Sequence, residues 1–167
     1  MVGYVEALTD PSYRGQILVM TYPLIGNYGV PRDPERWESD RIQAAGLVVQ
    51  RAHDDTGHAG ADLSLPGWLA EQGVPGATGI DTRHLTLRLR ERGMMLGRMG
   101  PVDMEPLAFF DPNKTNIVGQ VSRQEETRLG GGKKRVVLVD CGVKRSIVAE
   151  LARRGVEVVL VPYDRDY

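Results

Sequence analysis

The period of the apolar positions changes most clearly near the C-terminal end of the sequence. Residues 135–140 form a valine-rich apolar run, residues 143–154 carry apolar side chains at helical spacing, and residues 156–161 are apolar again. This pattern predicts a strand, a helix and a second strand, and the helical side chains predicted to face inward are Val143, Ile147, Val148, Leu151 and Ala152. Because strands joined by a helical crossover run parallel, we predict the opening of an α/β sheet.

Weaker patterns predict two further strands and a short helix in the first half of the chain. Residues 15–22 and 44–50 are rich in strand-forming side chains. Ser64 is a suitable N-cap for a helix that places Trp68 on its apolar face and ends at Gly73.

The segment after Asp81 carries two conflicting signals. From Leu85 to Leu89, leucines alternate with polar residues, which is typical of a strand. Asp81 or Thr82 is nevertheless a good helix N-cap, and Gly93 suits the residue after a helix. Leu85 and Leu89 would share one face of that helix, so we predict a helix here.

A glycine-rich stretch at residues 130–134 is flexible by composition and predicts a domain boundary. The predicted organisation is a first domain at residues 1–129, a linker at 130–134 and a second domain at 135–167. Two parallel strands and one helix do not cover both faces of a sheet, so the second domain is expected to be incomplete. The predicted fold class is α/β.

Composition narrows the functional classes. The 21 Lys and Arg residues balance 22 Asp and Glu residues, and the net charge of −1 argues against bulk attraction to nucleic acid or an anionic membrane. No apolar run approaches the roughly 20 residues that a membrane span requires. Cys141 is the only cysteine, so no disulfide forms within the chain, and we predict a cytoplasmic setting.

Cys141 is the first candidate nucleophile, because it follows a predicted strand and precedes a helix. A nucleophile elbow needs small residues two positions away on both sides, and here these are Val139 and Val143. All three histidines lie in the first predicted domain. We therefore predict a structural, non-catalytic cysteine.

Three other stretches have a functional and a structural interpretation. Residues 130–134 resemble a phosphate loop in composition, but they precede the strand instead of following it, so a linker is favoured. Residues 53–58 offer metal-ligating side chains, yet a solvated polar loop is favoured and no metal is predicted. The third stretch is basic and contains Arg83, Arg88, Arg90, Arg92 and Arg98. It is interpreted as a solvated helix face by default, and a surface for an acidic partner is the alternative.

Residues 10–13 predict a turn, because Pro11 has the φ angle of a second turn position and Asp10 can accept a hydrogen bond from the backbone ahead. The turn presents the Ser12 hydroxyl, which can donate to a carboxylate or accept from an ammonium group. From the residues alone, a local bond from this hydroxyl to the backbone is favoured.

Long strings throughout the sequence resemble the small subunit of carbamoyl-phosphate synthetase. The N-terminal strings are residues 3–13, 15–17, 21–29, 38–40, 46–49, 79–83 and 89–93. Residues 139–145 resemble the first strand and helix of the amidotransferase domain of that family. The resemblance covers nearly the whole chain in the family's order.

The resemblance implies a fold and an activity. It implies an N-terminal layered β/β/α domain, followed by the opening strand-helix-strand of a class I glutamine amidotransferase domain with a flavodoxin-like fold. The family's small subunit hydrolyses glutamine and passes ammonia to a large subunit. That partner makes carbamoyl phosphate from bicarbonate and ATP, for arginine and pyrimidine synthesis. ATP and a divalent metal are expected on the large subunit and no cofactor in this chain. Ser12 matches a serine that contributes to the family's glutamine site.

The sequence departs from the family pattern at both ends. It begins where the family has a leading segment, and it contains neither a Gly-x-Cys-x-Gly elbow nor a downstream His-x-Glu. We therefore expect no catalytic residue in this chain and no glutamine hydrolysis by it alone.

The chain is interpreted as part of an enzyme subunit, either a truncated gene product or a piece of a longer chain. A non-catalytic docking module is the alternative, and a generic α/β nucleotide-binding protein is disfavoured because a phosphate loop is missing.

Overall fold

The computed structural model describes residues 3–54, 58–105 and 107–165. The chain divides into two compact units, Met1–Asp111 and Pro112–Tyr167. Each unit contains both helices and strands, so the predicted α/β class is confirmed.

The first unit contains a three-stranded parallel sheet. Strand β1 (Ile17–Met20) pairs with β2 (Gly46–Val49), and β2 pairs with β3 (Gly76–Ala77). Both strands predicted in this half are confirmed, although each is shorter than its apolar run. The two-residue strand β3 was not predicted, because the Pro-Gly sequence at residues 75–76 indicated only a turn.

In the described part of this unit, the α-helices beside the sheet are α1 (Tyr4–Thr9), α2 (Leu65–Glu71) and α3 (Thr82–Arg92). The apolar faces of α1 and α2 enter the same core as β1 and β2, and the largest fully buried side chains there include Tyr4, Leu8, Leu47, Leu65 and Trp68. The rings of Trp37 and Trp68 pack with their centroids 5.3 Å apart. Helix α1 was not predicted from the apolar pattern.

Local capping explains where the two predicted helices of this unit begin. The Ser64 hydroxyl accepts a hydrogen bond from the Gly67 N–H at 3.2 Å, at the start of α2. The Asp81 carboxylate accepts from the His84 N–H at 2.9 Å, at the start of α3. Leu87 is 47% exposed, whereas Leu85 and Leu89 on the other face are half-buried, as the helix prediction required.

The second unit confirms the predicted strand, helix and parallel strand. Strand β5 (Lys134–Asp140) pairs in parallel with β6 (Val156–Pro162), and α5 (Arg145–Arg153) connects them. The core of this unit centres on Val148, Val158 and Leu160, with Leu138, Val143 and Leu151 packed against them. A short helix, α4 (Val118–Val121), lies earlier in the unit.

One side chain of α5 departs from the predicted pattern. Ile147 was placed on the inward face, but it is 44% exposed, whereas its neighbour Val148 is 7% exposed. In the described part of this unit, α5 contacts the core of β6 through Val148 and Leu151, and Ile147 is not part of that core.

The division into compact units differs from the predicted division at residues 130–134. Strand β4 (Thr127–Leu129) pairs antiparallel with β6, so these residues belong to the second unit. The glycines that follow therefore connect two strands of one sheet. A Cβ on Gly132 would collide with the carbonyl of Gly155, whereas a Cβ on Gly131 has no neighbour within 4 Å. The linker at residues 130–134 stays a prediction.

Among the described residues, no helix has both the length and the apolar composition needed to cross a bilayer.

Candidate functional site

The turn that carries Ser12 is a single turn of 3-10 helix, Pro11–Tyr13, directly after α1. The buried Asp10 carboxylate caps it by accepting a hydrogen bond from the Ser12 N–H at 2.9 Å. The Tyr13 N–H donates to the Asp10 carbonyl at 3.0 Å. The predicted turn and its forward bond from Asp10 are therefore confirmed.

The Ser12 side chain is exposed. Among the described residues, its hydroxyl has no hydrogen-bond partner, so the local bond to the backbone that the residues favoured does not form. Its backbone is held on the other side as well, because the Gln16 amide donates to the Ser12 carbonyl at 3.0 Å. The structure therefore presents a hydroxyl without a partner in the described part of the chain, on a turn that local hydrogen bonds hold.

A groove of about 490 Å³ lies beside this turn. Its lining residues are Ala7, Tyr13, Leu18, Val19, Met20, Thr21, Tyr22 and Pro23. The walls are mostly aliphatic and aromatic, and the lining residues with a polar group in the side chain are Tyr13, Thr21 and Tyr22. Tyr22 is 52% exposed, so the groove is open to a ligand from solvent. Such a groove can hold a short aliphatic chain with polar ends.

A polar cluster of two buried side chains, Thr9 and Gln43, and the half-buried Ser39 lies at the base of the turn, and its members were not predicted as functional. It joins Thr9, the last residue of α1, to Ser39 and Gln43 in the loop before β2. The Ser39 hydroxyl lies 2.6 Å from the Thr9 carbonyl. The only sequence signal for this cluster was the string at residues 38–40.

Cys141 lies at the end of β5, in the second unit, as an exposed free thiol. No histidine is present among residues 112–165 of this unit. The neighbouring Asp140 side chain is 4% exposed and accepts hydrogen bonds from the N–H groups of Gly142 and Val143, each at 2.9 Å. The non-catalytic assignment of Cys141 stays a prediction.

The Asp140 carboxylate also accepts from the N–H and the Nε of Arg123, at 3.1 and 2.9 Å. Burial by itself would raise the pKa of Asp140, but these four hydrogen bonds, led by the one from Val143, lower that pKa below its usual value. The carboxylate therefore holds the β5–α5 turn and stays ionised.

The polar loop considered as a metal site is engaged in local contacts where the structure describes it. The Asp54 carboxylate accepts from the Ser64 hydroxyl at 2.8 Å, and the His58 Nδ1 accepts from the Gly60 N–H at 3.2 Å. The remaining part of this prediction, residues 55–57, lies outside the described residues. Within residues 3–54, 58–105 and 107–165, no group of three or more acidic, His or Cys side chains is placed to hold a metal ion.

The five basic side chains considered as a contact surface are all exposed. Four of them are on α3, Arg83, Arg88, Arg90 and Arg92. The fifth, Arg98, lies 4.9 Å from the centroid of the Phe109 ring. Exposure is compatible with both predicted interpretations, a solvated face and a surface for an acidic partner.

Comparison with known proteins gives a family. Residues 1–99 match the family model described as "Carbamoyl-phosphate synthase small chain, CPSase domain". This match covers more than half of the chain and includes both Ser12 and Ser39.

Several relatives match nearly the whole chain, including the following three. A "Carbamoyl phosphate synthase small chain" of Methanopyrus kandleri is 46% identical over 97% of this chain and 47% of its own length. A "Carbamoyl-phosphate synthase [ammonia], mitochondrial" of Aquarana catesbeiana is 46% identical over 99% of this chain and 12% of its own length. A "Carbamoyl phosphate synthase arginine-specific small chain" of Saccharomyces cerevisiae is 44% identical over 98% of this chain and 43% of its own length.

The chain spans less than half the length of each of these relatives. The resemblance of the N-terminal strings is nevertheless confirmed by the family model, whose match runs through all of them. The chain belongs to the family of carbamoyl-phosphate synthase small chains.

Proposed function

We propose that this chain is the N-terminal part of a carbamoyl-phosphate synthase small chain, which supplies ammonia from glutamine to a large chain. The large chain would use that ammonia with bicarbonate and ATP to make carbamoyl phosphate. The observation that carries this proposal is the family match over residues 1–99. The arginine-specific name of the yeast relative supports a link to arginine synthesis, and we propose pyrimidine synthesis as the second use of the product.

In this proposal Ser12 binds glutamine. Its hydroxyl is exposed on an ordered turn and has no partner among the described residues, so it is free to bond a ligand. A hydroxyl suits the charged amino-acid end of glutamine, because it donates to a carboxylate and accepts from an ammonium group. The groove next to the turn offers apolar walls for the aliphatic part of the same ligand.

We further propose that the second unit begins a glutamine amidotransferase domain. The parallel pairing of β5 and β6, connected by α5, supports this proposal, because α/β domains of this kind are built from such units. Val137 and Val139 of β5 are 55% and 50% exposed. A parallel strand is normally covered on both faces, which supports further elements of a larger domain packing on this side.

The proposed partner is the large chain, which would carry the ATP and divalent metal. The basic residues of α3 are one candidate surface for an acidic region of that partner, and a solvated face is the other interpretation.

We propose a cytoplasmic location on the basis of the single cysteine. A mitochondrial location, as in the name of the frog relative, is the alternative.

The test uses a small chain that carries this sequence and a complete amidotransferase domain, assembled with its large chain. We expect Ser12→Ala to raise the KM for glutamine by about 10- to 150-fold, which is the effect of losing a hydrogen bond to a charged group. Ammonia-dependent synthesis should stay unchanged. An unchanged glutamine KM would contradict the role of Ser12, and failure of the small chain to support any glutamine-dependent synthesis would contradict the proposed function itself.

The second candidate function is a docking module without catalysis. The match to a relative whose name specifies ammonia favours this candidate. The two functions differ in a direct measurement with the large chain. A docking module would bind the large chain and leave synthesis dependent on added ammonia, whereas the proposed small chain would make synthesis dependent on glutamine.

A further inference from the structure

We propose that Ser39 is a positioning residue for Ser12, acting through the end of helix α1. This inference rests on the proposed function of Ser12 in glutamine binding. Ser39 lies 30 residues from Thr9 in sequence, in the loop before β2, and its hydroxyl donates to the Thr9 carbonyl at 2.6 Å. Thr9 is the residue immediately before Asp10, whose carboxylate caps the turn that presents Ser12.

A second hydrogen bond ties the same loop to Thr9. The Glu38 N–H donates to the Thr9 hydroxyl at 2.9 Å, and that hydroxyl donates in turn to the Val5 carbonyl at 2.8 Å. Thr9 is fully buried. The loop therefore clamps both the side chain and the carbonyl of the residue from which the turn projects.

The Ser39 hydroxyl has one proton and two carbonyls within hydrogen-bond distance, that of Thr9 at 2.6 Å and that of Arg41 at 3.1 Å. The Gln43 amide nitrogen donates to the Ser39 oxygen at 2.9 Å, so the Ser39 proton is directed toward a carbonyl, and the Thr9 carbonyl is the nearer of the two. The backbone N–H of Gln43 donates to the Leu8 carbonyl at 2.8 Å. The last turn of α1 has backbone carbonyls without partners inside the helix, and this loop satisfies two of them.

Ser39 is linked to Ser12 through consecutive contacts at Thr9 and Asp10. The Ser39 bond fixes the Thr9 carbonyl, the next residue is the capping Asp10, and Asp10 holds the Ser12 N–H. Ser12 itself is exposed and its hydroxyl has no partner among the described residues, so the direction of that hydroxyl depends on its backbone. Loss of the Ser39 bond should loosen the turn without removing the group that touches glutamine.

The experiment is a double-mutant cycle in the complete small chain assembled with its large chain. We expect Ser39→Ala to raise the KM for glutamine by about 2- to 12-fold, the range for a neutral hydrogen bond, with kcat and ammonia-dependent synthesis unchanged. Ser39→Thr keeps the hydroxyl and should restore most of the loss. In the Ser12→Ala background, Ser39→Ala should have no further effect on KM, because the two residues act through one contact.

The matched control is Ser64→Ala, which removes another serine hydroxyl bonded within the same unit, at the start of α2. It should lower stability and leave the glutamine KM unchanged. The positioning role is wrong, while the proposed function stands, if Ser12→Ala raises the glutamine KM but Ser39→Ala does not. The same conclusion follows if the KM increase of the double variant equals the product of the two single increases. If Ser12→Ala leaves KM unchanged, the glutamine-binding role of Ser12 and the positioning role of Ser39 are both wrong, whereas the proposed function is tested separately by glutamine-dependent synthesis.

A second measurement uses the 167-residue chain without glutamine. Amide hydrogen exchange of Ser12 should become several-fold faster in Ser39→Ala, because its N–H bond to Asp10 opens more often. Exchange of the Val48 amide in β2 should not change. Unchanged exchange at Ser12 would overturn the proposal.

Discussion

The Asp140 carboxylate at the end of β5 lies 2.9 Å from the Nε atom of Arg123, which precedes it by 17 residues in the chain. Arg123 also donates its backbone N–H to the same carboxylate, so one residue from outside the strand supplies two of the four donors. The other two come from Gly142 and Val143, directly after the strand. A single buried side chain therefore joins the segment before β4 to the turn between β5 and α5.

We expect Asp140→Asn to destabilise the second unit. An asparagine can still accept from the turn, but its NH₂ group would face the N–H and Nε of Arg123, so donors would oppose donors. The free energy of unfolding should fall by about 1.5–3 kcal/mol, the range for hydrogen bonds to a charged group. Urea unfolding at pH 7, followed by circular dichroism, measures this difference.

The effect of Asp140→Asn on the free energy of unfolding should depend on pH. This dependence distinguishes loss of the carboxylate charge from a change in side-chain packing. The folded pKa of Asp140 is lowered, so the carboxylate contributes stability above its unfolded pKa of about 3.9, and that contribution is lost as pH falls through the folded value. The unchanged chain and the Asp140→Asn variant should therefore differ most in free energy of unfolding at pH 6–7, and this difference should decrease below about pH 4. A control at the exposed Arg135–Glu157 pair, Glu157→Gln, should have a much smaller effect on stability.

The environment of Cys141 predicts slow, unselective thiol chemistry. The thiol is exposed, and no histidine is present among residues 112–165 to act as its base. A glutamine-analogue electrophile should therefore not label it rapidly and stoichiometrically. Mass spectrometry after timed exposure tests this, with Cys141→Ser as the control. Fast labelling that disappears in the Cys141→Ser variant would contradict the prediction.

The 167-residue chain by itself should release no ammonia from glutamine. Amide hydrolysis by an amidotransferase requires a thiolate and a base within hydrogen-bond reach. Cys141 is exposed, and no histidine lies among residues 112–165, the described part of its unit. A coupled assay for ammonia on purified chain should give the background rate. Ammonia release that increases in proportion to the protein concentration would show that the prediction is wrong.

Contiguous apolar patterns made part of the fold predictable from the sequence. The β5–α5–β6 segment was predicted because each element has its own clear period within one stretch of chain. Helix α1 was missed because it has only six residues, and Gly3 precedes it with a φ of 86° and no side-chain cap. Strand β4 was missed because it has three residues and is stabilised by pairing with residues that lie 29 to 33 positions further along the chain.

The site was predictable only in part, for a similar reason. The turn at residues 10–13 follows from Asp10 and Pro11, whose effects are local. The bond from Ser39 to Thr9 joins residues that are 30 positions apart, and no local pattern specifies it. Burial of Thr9 and exposure of Ser12 also depend on how α1 packs, which the tertiary structure decides.

The glycines before β5 provide a test of whether this stretch is packed or flexible. A Cβ on Gly132 would collide with the carbonyl of Gly155, at the turn before β6, whereas a Cβ on Gly131 has no neighbour within 4 Å. We expect Gly132→Ala to destabilise the chain by about 1–3 kcal/mol, because the backbone must move to admit the methyl group. Gly131→Ala should be neutral or slightly stabilising, since it restricts the unfolded chain. Urea unfolding of the two variants under one condition measures the contrast. Equal stabilities would favour the flexible linker that composition alone predicts, because a linker without packed neighbours would tolerate both changes alike.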